Sequence, residues 1–66
     1  MFKMIEVVGV SPQGFSEAVK SAVDKLLAAG EDVHFFEIVS QRGSVRNGAL
    51  AEYQVTLKAA VEVAKR

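Results

Sequence analysis

Residues 33–43 read VHFFEIVSQRG, a run rich in β-branched and aromatic residues. Successive side chains of a strand point to opposite faces, so Phe35 and Phe36 cannot both enter one core. Which ring turns inward decides the facing of the whole sheet. Asn47-Gly48 follows, the strongest short-range signal for a two-residue hairpin turn. From about Leu50 to Val63 the chain alternates. Tyr53, Val55, Leu57, Ala59, Val61 and Val63 share one face, while Glu52, Gln54, Thr56, Lys58, Ala60, Glu62 and Ala64 share the other. A two-residue turn sets Glu37 opposite Lys58, Ile38 opposite Leu57, Phe36 opposite Ala59, Phe35 opposite Ala60 and Gln41 opposite Gln54. Phe36 and Ile38 then align with the apolar face and are expected in the core. Phe35, Glu37, Val39, Gln41, Gln54, Thr56 and Lys58 are expected on the far face, since a one-residue slip would turn every side chain over.

The core-side layer comes from the segment before this hairpin. Phe15, Ala18, Val19, Ala22, Val23 and Leu26 recur at helical spacing, with Ser16, Glu17, Lys20, Ser21, Asp24 and Lys25 filling the other side. Ser11-Pro12 reads as the helix start, a hydroxyl N-cap followed by proline at the first helical position. Gly30 reads as the residue that ends it. Phe2–Val10 is a strand, apolar on both faces apart from Lys3 and Glu6. The order is β-α-β-β. The long third strand belongs in the middle, giving an α+β fold: a three-stranded antiparallel sheet in order 1-3-2 packed on one amphipathic helix.

The chain has 66 residues, enough for a single domain spanning 1–66. A fold this small buries only about 60% of its unfolded surface and usually needs a further staple. There is no cysteine, so disulfides and thiolate metal sites are excluded, and one histidine cannot build a zinc site. Half the residues are hydrophobic, so association with further copies is the expected staple. Eight basic and eight acidic residues give no net charge, unlike the basic stripe of a nucleic-acid binder. No apolar run reaches the ~20 residues of a membrane span, and the start has no signal-peptide layout. A cytoplasmic protein is expected. On the far face Phe35 stands with Val39, Ala60 and Ala64, beyond reach of the chain's one helix. An apolar far face implies a subunit contact or a ligand platform.

The pieces IEVVGVSPQGF, FFEIVSQRG and NGALAEYQVTLK, in this order and at this spacing, resemble the dodecins, small flavin-binding proteins of bacteria and archaea. The resemblance runs the length of the chain without an evident gap. It implies β-α-β-β subunits assembled as hollow homododecamers that store or sequester flavin and are not enzymes. In dodecins two isoalloxazine rings stack between symmetry-related aromatic side chains, and a glutamine on the third strand hydrogen-bonds the polar edge of the flavin. On this chain the matching glutamine is Gln54. The aromatic platform falls at Phe35, a position usually held by tryptophan. Arg42, in the Gln-Arg-Gly piece, matches a basic position near the ligand. Its planar guanidinium suits a phosphate or a flavin edge, which favours FMN over bare riboflavin. Some relatives carry arginine where this chain has Glu62, which weakens the case for a phosphate-bearing ligand. Ser40, Ser44 and Val45 flank the region and complete the candidate set. The alternative within the resemblance is a dodecin-like assembly with another nucleotide-type ligand, such as coenzyme A, or none. Phe35 would then be an interface hydrophobe.

A plain dimeric interaction module without ligand is a third expectation of a different class. His34 has no serine–aspartate company and reads as a strand-start residue. Glu6, Glu37 and Glu52 lie on separate elements and do not make an acid–base pair. Gly43 and Gly48 sit in the hairpin region, not in a strand–loop–helix phosphate cradle. No catalytic or metal-binding constellation is read from the sequence.

Overall fold

The computed structural model describes residues 1–63. Its elements are β1 (Phe2–Ser11), α1 (Phe15–Ala28), β2 (Val33–Arg46) and β3 (Ala49–Glu62). The strands form one antiparallel sheet ordered β1-β3-β2, and α1 packs on one face of it. This is the expected β-α-β-β arrangement. The molecule is 54 Å long and 13 Å thick along its shortest axis.

The helical stripe does what its spacing predicts. Ala18, Ala22 and Leu26 are buried against Val55, Leu57 and Ala59 of β3, with Ile5, Val7, Val19, Val23 and Val33 packed around them. Small residues on α1 let it settle close to β1. A Cβ built on Gly9 would stand 2.0 Å from the Ala18 carbonyl oxygen and 2.9 Å from the Ala22 Cβ. On the solvent side Lys20 and Asp24 pair at 3.0 Å, one helical turn apart.

The helix start differs from the expectation. Ser11 is the last residue of β1, and α1 begins at Phe15 behind an extended Gly14 with no side-chain cap. The Ser11 hydroxyl instead accepts the Gln13 N–H at 3.0 Å. A serine can close such a local turn as readily as it caps a helix, and here the turn carries the chain out of the strand first. The far end is as expected. Gly30 has φ of 86°. Its N–H reaches the Leu27 carbonyl, and that of Glu31 reaches the Leu26 carbonyl, the double closure of a Schellman motif.

Asn47 (φ 54°) and Gly48 (φ 74°) make the β2–β3 turn, both in the left-handed region as a type I′ hairpin requires. The pairs Phe35–Ala60, Phe36–Ala59, Glu37–Lys58 and Ile38–Leu57 are all present. The pair Gln41–Gln54 is not: Gln41 lies opposite Val55, and Arg42 lies opposite Gln54. Two bulges produce the change. Ala51 is an extra residue in β3 between the pairs Val45–Leu50 and Ser44–Glu52. Val39 is an extra residue in β2 between Ser40–Thr56 and Ile38–Leu57. The second cancels the first, so within residues 35–46 only 40–44 are displaced, and for them the facing is reversed; a third irregularity, at His34, sets Val33 opposite Val61. Gln41 moves to the helix side and Arg42 to the far face.

Phe36 and Ile38 lie on the helix side, opposite Ala59 and Leu57, yet each is 43% exposed. They are not core residues, contrary to expectation. A helix is about 10 Å wide and strands lie about 4.8 Å apart, so one helix covers roughly two strands. Here those are β1 and β3, and α1 barely touches β2.

The closeness of α1 to Gly9 makes Gly9→Ala a sharp test of this packing. The obstructing atoms belong to helix backbone and a neighbouring Cβ, so relief requires moving the helix. The variant is expected to lose about 1–3 kcal/mol or more of stability, read as a lower denaturant midpoint. An unchanged midpoint would show that α1 does not sit this close.

Candidate ligand-binding face

The sheet face away from α1 divides into an aromatic end and a polar end. At the aromatic end Phe35 is 52% exposed and faces Ala60, which is buried. The register puts Met4 on the other side of Ala60 and Phe2 beside Glu62. The Phe2 ring meets Phe35 edge-on at 5.9 Å between centroids and tilts over His34 at 4.9 Å. Such edge-to-face contacts hold a ring's orientation while leaving one of its faces free. Behind these rings, His34 Nε2 lies 3.7 Å from carboxylate oxygens of both Asp32 and Glu62, and Glu62 also holds the Met1 amino group at 3.2 Å. Val39, the bulge residue, is exposed. Ala64, expected on this face, lies outside the described residues.

At the polar end the reversed stretch of β2 delivers Arg42 beside Gln54. Arg42 Nε donates to Gln54 Oε1 at 2.9 Å, and Gln54 Nε2 donates to Glu52 Oε1 at 3.1 Å. Ser40 lies opposite Thr56 and Ser44 opposite Glu52, one on each side of Arg42 along β2. Among the described residues the shielded Ser44 hydroxyl has no hydrogen-bond partner. Val45 stands past the Ala51 bulge, opposite Leu50 at the hairpin end, and is 70% exposed.

Of the six residues singled out from the sequence, then, Arg42 and Gln54 touch, Ser40 and Ser44 flank them, Val45 lies beyond, and Phe35 is at the other end. Ala60, opposite Phe35, and Gln54 are six positions apart on β3, or about 20 Å of strand. Two contributors had not been singled out. Glu52 was legible as a face-mate of Gln54, two residues away on an alternating strand. Phe2 carried no signal beyond being apolar, because its contact with Phe35 depends on the strand order.

The two ends differ in chemistry. The aromatic end offers a flat apolar surface to a conjugated ring. The polar end offers a fork of guanidinium donors and a carboxamide with both donor and acceptor capacity.

A family model described as Dodecin matches residues 1–64. The dodecin of Thermus thermophilus is 29% identical over 58 residues, covering 88% of this chain and 84% of that protein. The structure of dodecin from Streptomyces coelicolor matches with a TM-score of 0.94 at 32% identity, covering 100% of this chain and 94% of that one. A mutant Thermus thermophilus dodecin, with phenylalanine in place of a tryptophan, matches with a TM-score of 0.91 at 28% identity, covering 98% of this chain and 97% of that one.

The Arg42–Gln54 hydrogen bond is exposed in the single subunit, so its loss is expected to matter little for folding. Arg42→Ala should lower stability by about 1 kcal/mol or less in denaturant unfolding. A loss of several kcal/mol would show that this end of the face is buried in the native protein.

Proposed function

The chain belongs to the dodecin family, and from that we propose that it is a flavin-binding protein of storage or sequestration, not an enzyme, working as a hollow homododecamer. The ligand is FMN or a riboflavin-type flavin. Phe35 stacks on the isoalloxazine, Gln54 hydrogen-bonds its polar edge, and Arg42 meets an edge or phosphate, with Ser40, Ser44 and Val45 around them.

One observation carries this reading. The stacking residue and the hydrogen-bonding residue stand on the same uncovered sheet face, yet about 20 Å apart along β3. A single flavin does not span that length, so the two ends join at one ligand only when one subunit supplies the ring and another the amide. The same face carries exposed Phe2, Met4, Val8 and Val10 of β1, apolar surface of the kind that copies of a chain bury against one another.

Phenylalanine keeps a π-face but has less area than tryptophan. Aromatic stacking contributes roughly 1–3 kcal/mol per flat base in nucleic-acid complexes, so the smaller ring implies weaker binding. That the Thermus mutant matches this chain so closely supports the view that the smaller ring leaves the subunit fold intact.

A second reading follows from the Phe2 ring set edge-on against Phe35. Phe35 already has an apolar neighbour, as an interface hydrophobe would. The assembly then takes a different nucleotide-type ligand, such as coenzyme A, or none.

Flavin fluorescence separates the two. Titration with the protein should quench FMN at micromolar concentration, and Phe35→Ala should abolish the effect. Phe35→Trp should tighten binding about 10- to 100-fold. Quenching by Phe35→Trp without any by the wild type would favour the second reading. In native mass spectrometry a particle of twelve subunits is expected, and a dimer would refute the assembly.

A further inference from the structure

Gln54 is held from two sides by residues of opposite hydrogen-bonding character. Arg42 Nε reaches its oxygen, and its nitrogen reaches Glu52 Oε1. A guanidinium only donates, and an ionised carboxylate only accepts. Of the two orientations open to a carboxamide, one therefore satisfies both neighbours. The flipped one sets N–H against N–H and oxygen against oxygen. A carboxamide has two N–H donors and two carbonyl lone pairs. This network uses one of each and leaves one of each, adjacent on the same planar group.

An adjacent donor and acceptor complement an imide edge, in which a ring N–H lies beside a carbonyl oxygen. The pyrimidine part of an isoalloxazine has such an edge. We propose that Glu52 is a positioning residue that fixes the Gln54 carboxamide for an imide-bearing ligand. Glu52 acts through Gln54 and need not touch the ligand. The inference deepens the flavin reading above and, for the identity of the ligand, rests on it.

Glu52 matters most when the ligand carries a phosphate. Arg42 is a long, exposed side chain on the open face. If it turns to a phosphate, Gln54 loses its donor neighbour and Glu52 alone holds the amide. Alternation on β3 places the carboxylate there, since residues two apart share a face. Glu52 lies opposite Ser44, within the stretch that the two bulges turn over, so the arrangement depends on that local register.

The test compares FMN with its N3-methyl derivative, which lacks the imide N–H. Wild-type protein is expected to prefer FMN by about tenfold or more, the effect of leaving one buried polar group unpaired. Glu52→Ala should bring the two ligands to within a fewfold of each other. Glu52→Gln, which keeps an acceptor oxygen, should preserve the preference. Equal discrimination by wild type and Glu52→Ala would overturn the proposal, provided native mass spectrometry shows the same subunit count for both. A second measurement needs no flavin. In the NMR spectrum of the protein alone, the Gln54 side-chain amide proton bound to a carboxylate should lie downfield, return toward the free-amide position in Glu52→Ala, and stay downfield in Glu52→Gln. Gln54 resonances unmoved by Glu52→Ala would refute the positioning role even if flavin binds. If wild type binds no flavin, the flavin reading fails, and the NMR comparison alone decides the role of Glu52.

Discussion

One helix cannot cover three strands, and most of this structure follows from that shortage. α1 is 14 residues long and sits on β1 and β3. The central strand gains most: Val55, Leu57 and Ala59 are fully buried beneath the helix, with Ile5 and Val7 of β1 packed beside them. β2 receives almost none. Its helix side shows Phe36 and Ile38, its other side shows Phe35, and the bulge residue Val39 is exposed as well. A strand with apolar surface on both sides and cover on neither has an incomplete environment within one subunit. The proposed assembly fits this, since apolar surface of this kind is what copies of a chain bury against one another.

The legible part of the fold was the part the core enforces. Alternation on β3, the stripe on α1 and the Asn47-Gly48 turn all act where a wrong choice would bury a polar group or expose the core. They fixed the strand order and the register of residues 35–38 against 57–60. The misread parts lie where that penalty is absent. Near Gln41 the helix no longer overlies β2, so a glutamine on the helix side costs little. Nothing in the alternation marks Val39 or Ala51 as an extra residue. Phe36 is shallow for the same reason: its facing belongs to the strand and its burial to a cover that β2 lacks. At Ser11 two local motifs competed for one hydroxyl, and composition does not rank them.

The candidate site divides in the same way. Alternation alone marked Phe35 as the outward ring on an apolar face, while its stacking role, and Arg42 and Gln54 as ligand residues, entered through family likeness. What the likeness did not contain was their arrangement. The guanidinium lies against the amide, a carboxylate lies on the amide's other side, and the aromatic ring stands far along the same face. Glu52 was visible as a neighbour on an alternating strand, but its role requires knowing that Arg42, and not Gln41, is the residue across from Gln54.

The two bulges give the hairpin something like a reading frame. An extra residue at Ala51 and another at Val39 bracket a short cassette, and beyond each the strands return to their original phase. Because the extra residue is the unpaired one, loss of either would remove its bulge and leave the flanking pairs opposite one another, with Arg42 still across from Gln54. A one-residue insertion at a paired position inside the cassette would instead turn over the side chains beyond it. The outward polar row is therefore tolerant of length change at its two borders and intolerant of it in between.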